Sequence, residues 1–421
     1  MARGPADKST GRRCVALHRL RSQNIERRNP ERAFWNSRFS NLPPAARWQT
    51  ADLGDCTLNV LLHGSYFGLN FGDTLLCRLF SDWIHAADAN SRVILPRADA
   101  RNLKLIGSDE RGLLAARKGE ALVLCGGGYF GEPKSGITRW TARAYTRHML
   151  LANWAAERMP VYIFGTGVGP VTNPRMRRDL IALFQRAEVA VVRDQESANF
   201  LKEWGVTRDL QISPDAVVTA TESDLKKDIE GKDLSMLRFA NSEAKTVAVH
   251  TEVHASGRDL DIAKDMVARL IAETNHNIVL VTDGRRTFGD SAWHDQVNVP
   301  EEAKKRVVKL KYDGDPQSLI AVLNAVDIVI TTKLHVGIVR CALNKPVISI
   351  PRHAKTPRFY RQMQLEDWCL STNEEGWQQK VLTRLADWNA GLEADFTHFN
   401  AVRSVGYYRD RLKANLAPAG A

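Results

Sequence analysis

From residue 58 onward, short continuous apolar runs alternate with longer segments whose apolar positions recur near every 3.6 residues. The runs at 58–62, 93–95, 121–125, 161–164 and 189–192 read as strands buried on both faces. The segments at 73–87, 140–158, 175–187 and 195–204 read as helices. Strands and helices in this order predict a parallel sheet covered on both sides. Between 221 and 245 the pattern lapses into a charged stretch with few β-branched residues, which reads as a linker. The alternation then resumes. Strands are expected at 246–250, 278–282, 307–310, 328–331 and 347–350, and helices at 260–273, 316–324, 335–343 and 373–390. A last helix is expected over 401–416.

The predicted fold class is therefore α/β, with two Rossmann-like lobes. They occupy 51–222 and 246–395, joined by a linker over 223–245 and followed by a C-terminal helical segment over 396–421. Residues 1–50 stand apart as a basic, partly disordered extension. Two such lobes imply a cleft between them, and ligands of these sheets bind beyond the carboxyl ends of the strands.

Composition narrows the class. Of 421 residues, 44% are hydrophobic and 25% charged, which excludes a disordered chain, a collagen-like repeat and a disulfide scaffold. The net charge of +11 is uneven: residues 1–33 carry nine Lys and Arg against three acids. Such a head offers contact with an anionic membrane surface, although a solvated tail is the plainer reading. No apolar core of a secretory signal and no membrane-length apolar run is present. The six cysteines form no C-x-x-C pair and read as reduced thiols. The expected location is cytoplasmic, with a peripheral contact at the inner face of the membrane through the head. No metal, no cofactor and no nucleic acid partner is called for.

The candidate chemistry sits in loops that follow strands. Residues 63–76 contain Gly64, Gly68 and Gly72, with Asn70 and Asp73 at a helix start, where Asp73 either caps the helix or touches a substrate. Gly126, Gly127 and Gly128 follow a strand and offer free N–H groups to an anion or a sugar. Gly165, Gly167 and Gly169 follow another, where tight strand–helix packing is an equal reading. Arg193 ends the next strand, beside Asp194, and suits a carboxylate or phosphate as well as a structural ion pair. Asp215 reads first as a helix cap. In the second lobe, Lys333 and His335 share a strand-to-helix junction, and His335 suits proton transfer. Arg352 and Lys355 add positive charge after the last strand. No Walker A motif and no G-x-S-x-G elbow occurs, which disfavours an ATPase and an α/β-hydrolase.

Taken in order, Asn70-x-Gly72-Asp73, the glycine run 126–128, the G-x-G-x-G-P at 165–170, the V-R-D-x-x-S at 192–197 and the L-H-x-G at 334–337 resemble the polysaccharide pyruvyl transferase family over residues 58–365. The resemblance implies a fold similar to glycosyltransferase-B. It implies phosphoenolpyruvate as donor, and as acceptor a sugar of a surface polysaccharide or of its lipid-linked oligosaccharide precursor. The product would be a pyruvate ketal, with phosphate released. In that scheme Arg193 and Lys333 would hold the donor, supported by Lys355 and Arg352. Asn70, the three glycines 126–128 and Gly167 would line the substrate site. His335 would be the general acid, and Asp73 or Asp194 the base. Lys333 stands where some relatives carry arginine, which keeps the charge but loses the bidentate fork. The alternative is a nucleotide-sugar-dependent glycosyltransferase of the same two-lobed architecture. A third reading, a lipid- or nucleic-acid-binding protein, would rest on the basic head alone.

Overall fold

The structure, a computed structural model, describes residues 57–416 apart from 69, 134, 254 and 285–291. The basic head and the contacts expected of it lie outside the described residues. The described residues all belong to one compact unit.

Eight parallel strands build the first sheet: β1 (Asn59–His63), β2 (Arg92–Leu95), β3 (Glu110–Arg111), β4 (Ala121–Leu124), β5 (Gly127–Phe130), β6 (Val161–Val168), β7 (Val189–Val192) and β8 (Gln211–Ile212). Their order is β3-β2-β1-β4-β6-β7-β8, with β5 pairing β6 off this path. Five parallel strands build the second: β9 (Thr246–Thr251), β10 (Asn277–Thr282), β11 (Val307–Leu310), β12 (Ile328–Thr331) and β13 (Val347–Ser349), in the order β11-β10-β9-β12-β13. In both sheets the chain order reverses beside the first strand, which opens a crevice at the carboxyl ends of the strands. The fold is the α/β, two-lobed one that the apolar pattern predicts.

Near-continuous burial of the strands follows from helices on both faces. One apolar core, including Val60, Phe80, Val217, Val247, Ile330 and Ile338, runs through both lobes, and a second fills the far face of the first sheet around Leu61, Ile163 and Phe184. Among the described residues no helix is long and apolar enough to cross a membrane.

Three expectations need correction. Gly127 and Gly128 are not a strand-end loop with free N–H groups but enter β5, whose pairing with β6 shifts register between Gly127 and Phe130. Gly127 bends the chain there with a φ of 123°, a conformation that glycine adopts without a Cβ clash. The charged stretch at 221–245 is not all linker, because Thr221 caps a short helix, Glu222–Lys226, that buries Leu225. The final helix is two, Thr397–Ser404 and Tyr407–Leu416, broken at Gly406 with a φ of 60°. The last of them returns to the first lobe, where the Tyr408 hydroxyl donates to the carbonyls of Ser213 and Pro214.

Candidate active site

Because every strand is parallel, both sheets present their carboxyl ends, and the loops that follow them, to the crevice between the lobes. Arg193 leaves β7 and Asp215 follows β8. From the other lobe, His335 lies in the first turn of the Leu334–Ala342 helix after β12. The three meet. His335 Nε2 is 3.4 Å and Arg193 Nη1 3.9 Å from Asp215 Oδ2. All three atoms are buried, and none makes a hydrogen bond, so a cation, an imidazole nitrogen and a carboxylate oxygen converge with unused capacity.

Glycines make this convergence possible. A Cβ on Gly72 would overlap the His335 imidazole and stand 2.7 Å from its Cβ. A Cβ on Gly167 would stand 2.9 Å from the Arg193 Cζ, and one on Gly128 3.8 Å from Nη2. Gly72 and Gly167 thus admit side chains that approach the backbone closely, whereas a Cβ at Gly128 would make only ordinary contact.

Asp215 serves two roles. Its Oδ1 accepts from the Val217 N–H as the cap of a short 3-10 turn, while Oδ2 faces His335 and Arg193. Burial would raise its carboxyl, but His335, Arg193 and the Val217 N–H outweigh that and hold it below the usual carboxylate range. Asp73, one residue beyond Gly72, shows the opposite balance. Burial raises its carboxyl above the ordinary value, against the pull of His335, Lys355 and Lys333. Asp194 is spent locally: Oδ1 accepts from the N–H and hydroxyl of Ser197, and Oδ2 lies 3.8 Å from Arg193 Nε.

The lysines differ from one another. Lys333 Nζ lies 3.4 Å from Asp283 Oδ2 and 3.9 Å from Glu252 Oε2. Burial lowers its ammonium, and Asp283 and Glu252 outweigh burial to raise it. Lys355 has no acid within ion-pair range among the described residues. Burial, with Arg193 and Lys333 nearby, lowers its ammonium to about 8. Arg352 is turned toward acids of its own lobe, pairing with Asp259 and lying 3.2 Å from Glu252. Arg193, Asp194, Asp215, Lys355 and Arg358 line a narrow recess of about 10 Å³ between the lobes, together with Leu334, Ile338 and Phe359.

The lobes are latched beside this recess. Asn70 caps the Phe71–Ala87 helix by accepting from the Asp73 N–H, and its Nδ2 lies 3.5 Å from Asp283 Oδ2. The Phe71 N–H donates to the Asp283 carbonyl at 2.9 Å, and Arg358 pairs with Glu196. Asp283 and Glu252 have no role in the sequence reading, which takes Asp215 first as a cap and second as a residue reaching the cleft. Position after a strand was the available signal for Glu252 and Asp283, which follow β9 and β10 directly.

This arrangement defines a two-lobed α/β enzyme fold with a charged crevice at the strand ends. Solved structures with this fold include the UDP-GlcNAc 2-epimerase of Methanocaldococcus jannaschii, 10% identical, with a TM-score of 0.54 over 84% of this chain and 100% of that one. The UDP-GlcNAc 2-epimerase of Neisseria meningitidis is 12% identical, with a TM-score of 0.54 over 84% of this chain and 99% of that one. At such identities the likeness is one of fold. A comparison with curated protein sequences found no match. The chain belongs to the polysaccharide pyruvyl transferase family, whose model matches residues 39–353.

Proposed function

We propose that this protein transfers the enolpyruvyl group of phosphoenolpyruvate onto two hydroxyls of a sugar in a surface polysaccharide or its precursor, forming a cyclic pyruvate ketal and releasing phosphate. The observation that carries the reading is the crowding of Arg193, Lys333 and Lys355, in which Lys355 has no acid within ion-pair range among the described residues and its ammonium is pushed down to about 8. Like charges held together by a fold favour a ligand that brings several negative charges in a small volume. Phosphoenolpyruvate brings a carboxylate and a phosphate.

The chemistry follows from the positions. His335 delivers a proton to the methylene carbon, and positive charge develops at the neighbouring carbon, where the first sugar hydroxyl adds. Asp73, whose raised carboxyl makes it the more basic acid of the site, takes the proton of that hydroxyl. The carbon–oxygen bond to phosphate then breaks, with the electron pair leaving on phosphate, held by Arg193 and Lys355. The second hydroxyl closes the ring, and its proton passes to the phosphate. Transfer of the proton on Asp73 back to His335 restores both groups. Asp215 acts through His335, facing its imidazole Nε2 from 3.4 Å and so fixing which way the ring is turned.

The test is a donor comparison. Phosphoenolpyruvate should raise the melting temperature, and UDP- or GDP-sugars should not. With candidate sugars, phosphate release should accompany a product whose mass has grown by one ketal-linked pyruvate. His335→Ala should keep the fold and slow phosphate release at least about tenfold. Stabilisation by nucleotide sugars alone would overturn the reading in favour of a glycosyltransferase.

A further inference from the structure

A strip of unpaired arginines lies on the first lobe beside the crevice. Between Glu132 and Glu157 the chain contains no acidic residue, yet it carries Arg139, Arg143 and Arg147 at intervals of four. These occupy the Ile137–Ala144 helix and the π-helical turn Tyr145–Met149 that continues it. All three are exposed, and none has an acid in ion-pair range among the described residues. The other face of the segment is buried: Ala144, His148 and Met149 pack inward. Arg97, after β2, donates to the Thr146 carbonyl and sets a fourth guanidinium alongside.

The strip adjoins the site. Arg147 lies over the Phe67 ring, 5.1 Å from its centroid. Phe67 belongs to the loop that ends at Asn70, the cap of the helix carrying Gly72 and Asp73. On the inner side, His148 stacks on Tyr129 of β5 at 4.5 Å, and Gly128 of the same strand faces Arg193.

We infer that Arg139, Arg143 and Arg147 form a contact surface for an anionic phospholipid bilayer. Several cations spread along one exposed helical face, with no acid among them, match a sheet of phosphate headgroups better than a single small anion. Small or neutral side chains between them (Thr138, Ala142 and Thr146) let a flat surface reach all three guanidinium groups. The contact needs no donor and no turnover. If the pyruvyl transfer reading holds, the contact would also turn Phe67 and Asp73 toward acceptors carried on a lipid.

The test uses the full chain and sedimentation with vesicles of phosphatidylcholine, with and without phosphatidylglycerol. The wild type should bind only the anionic vesicles, and binding should weaken as salt rises. The triple variant Arg139→Gln, Arg143→Gln, Arg147→Gln should lose about two orders of magnitude in affinity, at roughly fivefold per arginine. Its stabilisation by phosphoenolpyruvate should match that of the wild type, which separates this inference from the donor reading. A variant with the same charge removed elsewhere, Lys118→Gln, Arg186→Gln, Lys202→Gln, should bind within about threefold of wild type. Undiminished binding by the first variant, or equal loss in both, would overturn the inference. So would a wild type that ignores anionic vesicles but binds an anionic polysaccharide through the same arginines.

Discussion

Replacing Gly72 by alanine probes the site through one methyl group. The new Cβ would overlap the His335 imidazole and sit 2.7 Å from the His335 Cβ. Ordinary carbon contacts lie at about 3.5–4.0 Å, so the imidazole must retreat by roughly 1 Å or more. That movement takes Nε2 away from Asp215 Oδ2, now 3.4 Å distant, and out of the position proposed for proton delivery. Misplacement of about 1 Å costs about a hundredfold in rate. Stability should change little. Overpacking costs about 1–3 kcal/mol, while alanine in a helix interior returns about 0.5–1 kcal/mol over glycine. The assay is phosphate release from phosphoenolpyruvate with a productive sugar, alongside thermal melting. The expected outcome is a fold that melts within several degrees of the wild type, with activity about two orders of magnitude lower. In a His335→Ala background the same methyl should cost no more than about twofold further, because the ring it displaces is gone. Wild-type activity in Gly72→Ala would refute the placement of His335 against the Phe71–Ala87 helix.

Other outcomes follow from the same geometry. Donor affinity should fall as pH rises through about 8, where Lys355 loses its proton, by up to about tenfold per unit; Lys355→Met should bind weakly at every pH, and an unchanged profile would remove Lys355 from the donor site. Arg193→Ala should weaken phosphoenolpyruvate binding by about tenfold to a hundredfold, with Arg193→Lys only partly restoring it; unchanged affinity would leave Arg193 as a structural partner of Asp194 and Asp215. Acid should destabilise the fold through its buried histidines. Burial holds His63 at about 3 and His250 at about 4, so the unfolded chain binds more protons below its ordinary histidine value of 6.5. Their stabilising effect is complete above that value and declines as pH falls toward 4, by up to about 1.4 kcal/mol per pH unit for each group. Thermal melts between neutral and mildly acidic pH measure it, and a flat profile contradicts it.

How much of this was legible beforehand differs by level. Both sheets follow from the apolar runs, because a strand covered on both faces must be apolar throughout, and few other elements produce so short and complete a run. The departures fall where side-chain pattern is silent. β5 is written in glycines, which carry no periodicity, and the bend at Gly406 breaks a helix whose flanking residues suit helix on both sides. Glycine's role was legible only in part. The sequence places Gly72 and Gly167 after strands, but the reason for Gly167 is a guanidinium, and for Gly72 an imidazole from the other lobe.

The amino-acid sequence by itself determines the alternation of strand and helix, and hence the two parallel sheets and the edge at which their loops gather. It also determines which residues can carry charge at that edge. Only the tertiary structure decides which of them meet. Asp215 and His335 are far apart along the chain and belong to different lobes, and their contact depends on how two separately built sheets dock. The same docking separates the cations: Arg352 is neutralised within its own lobe, Lys333 is tethered by Asp283, and Lys355 has no acid within ion-pair range among the described residues. Burial and distance set electrostatic energies, and neither is written in residue order.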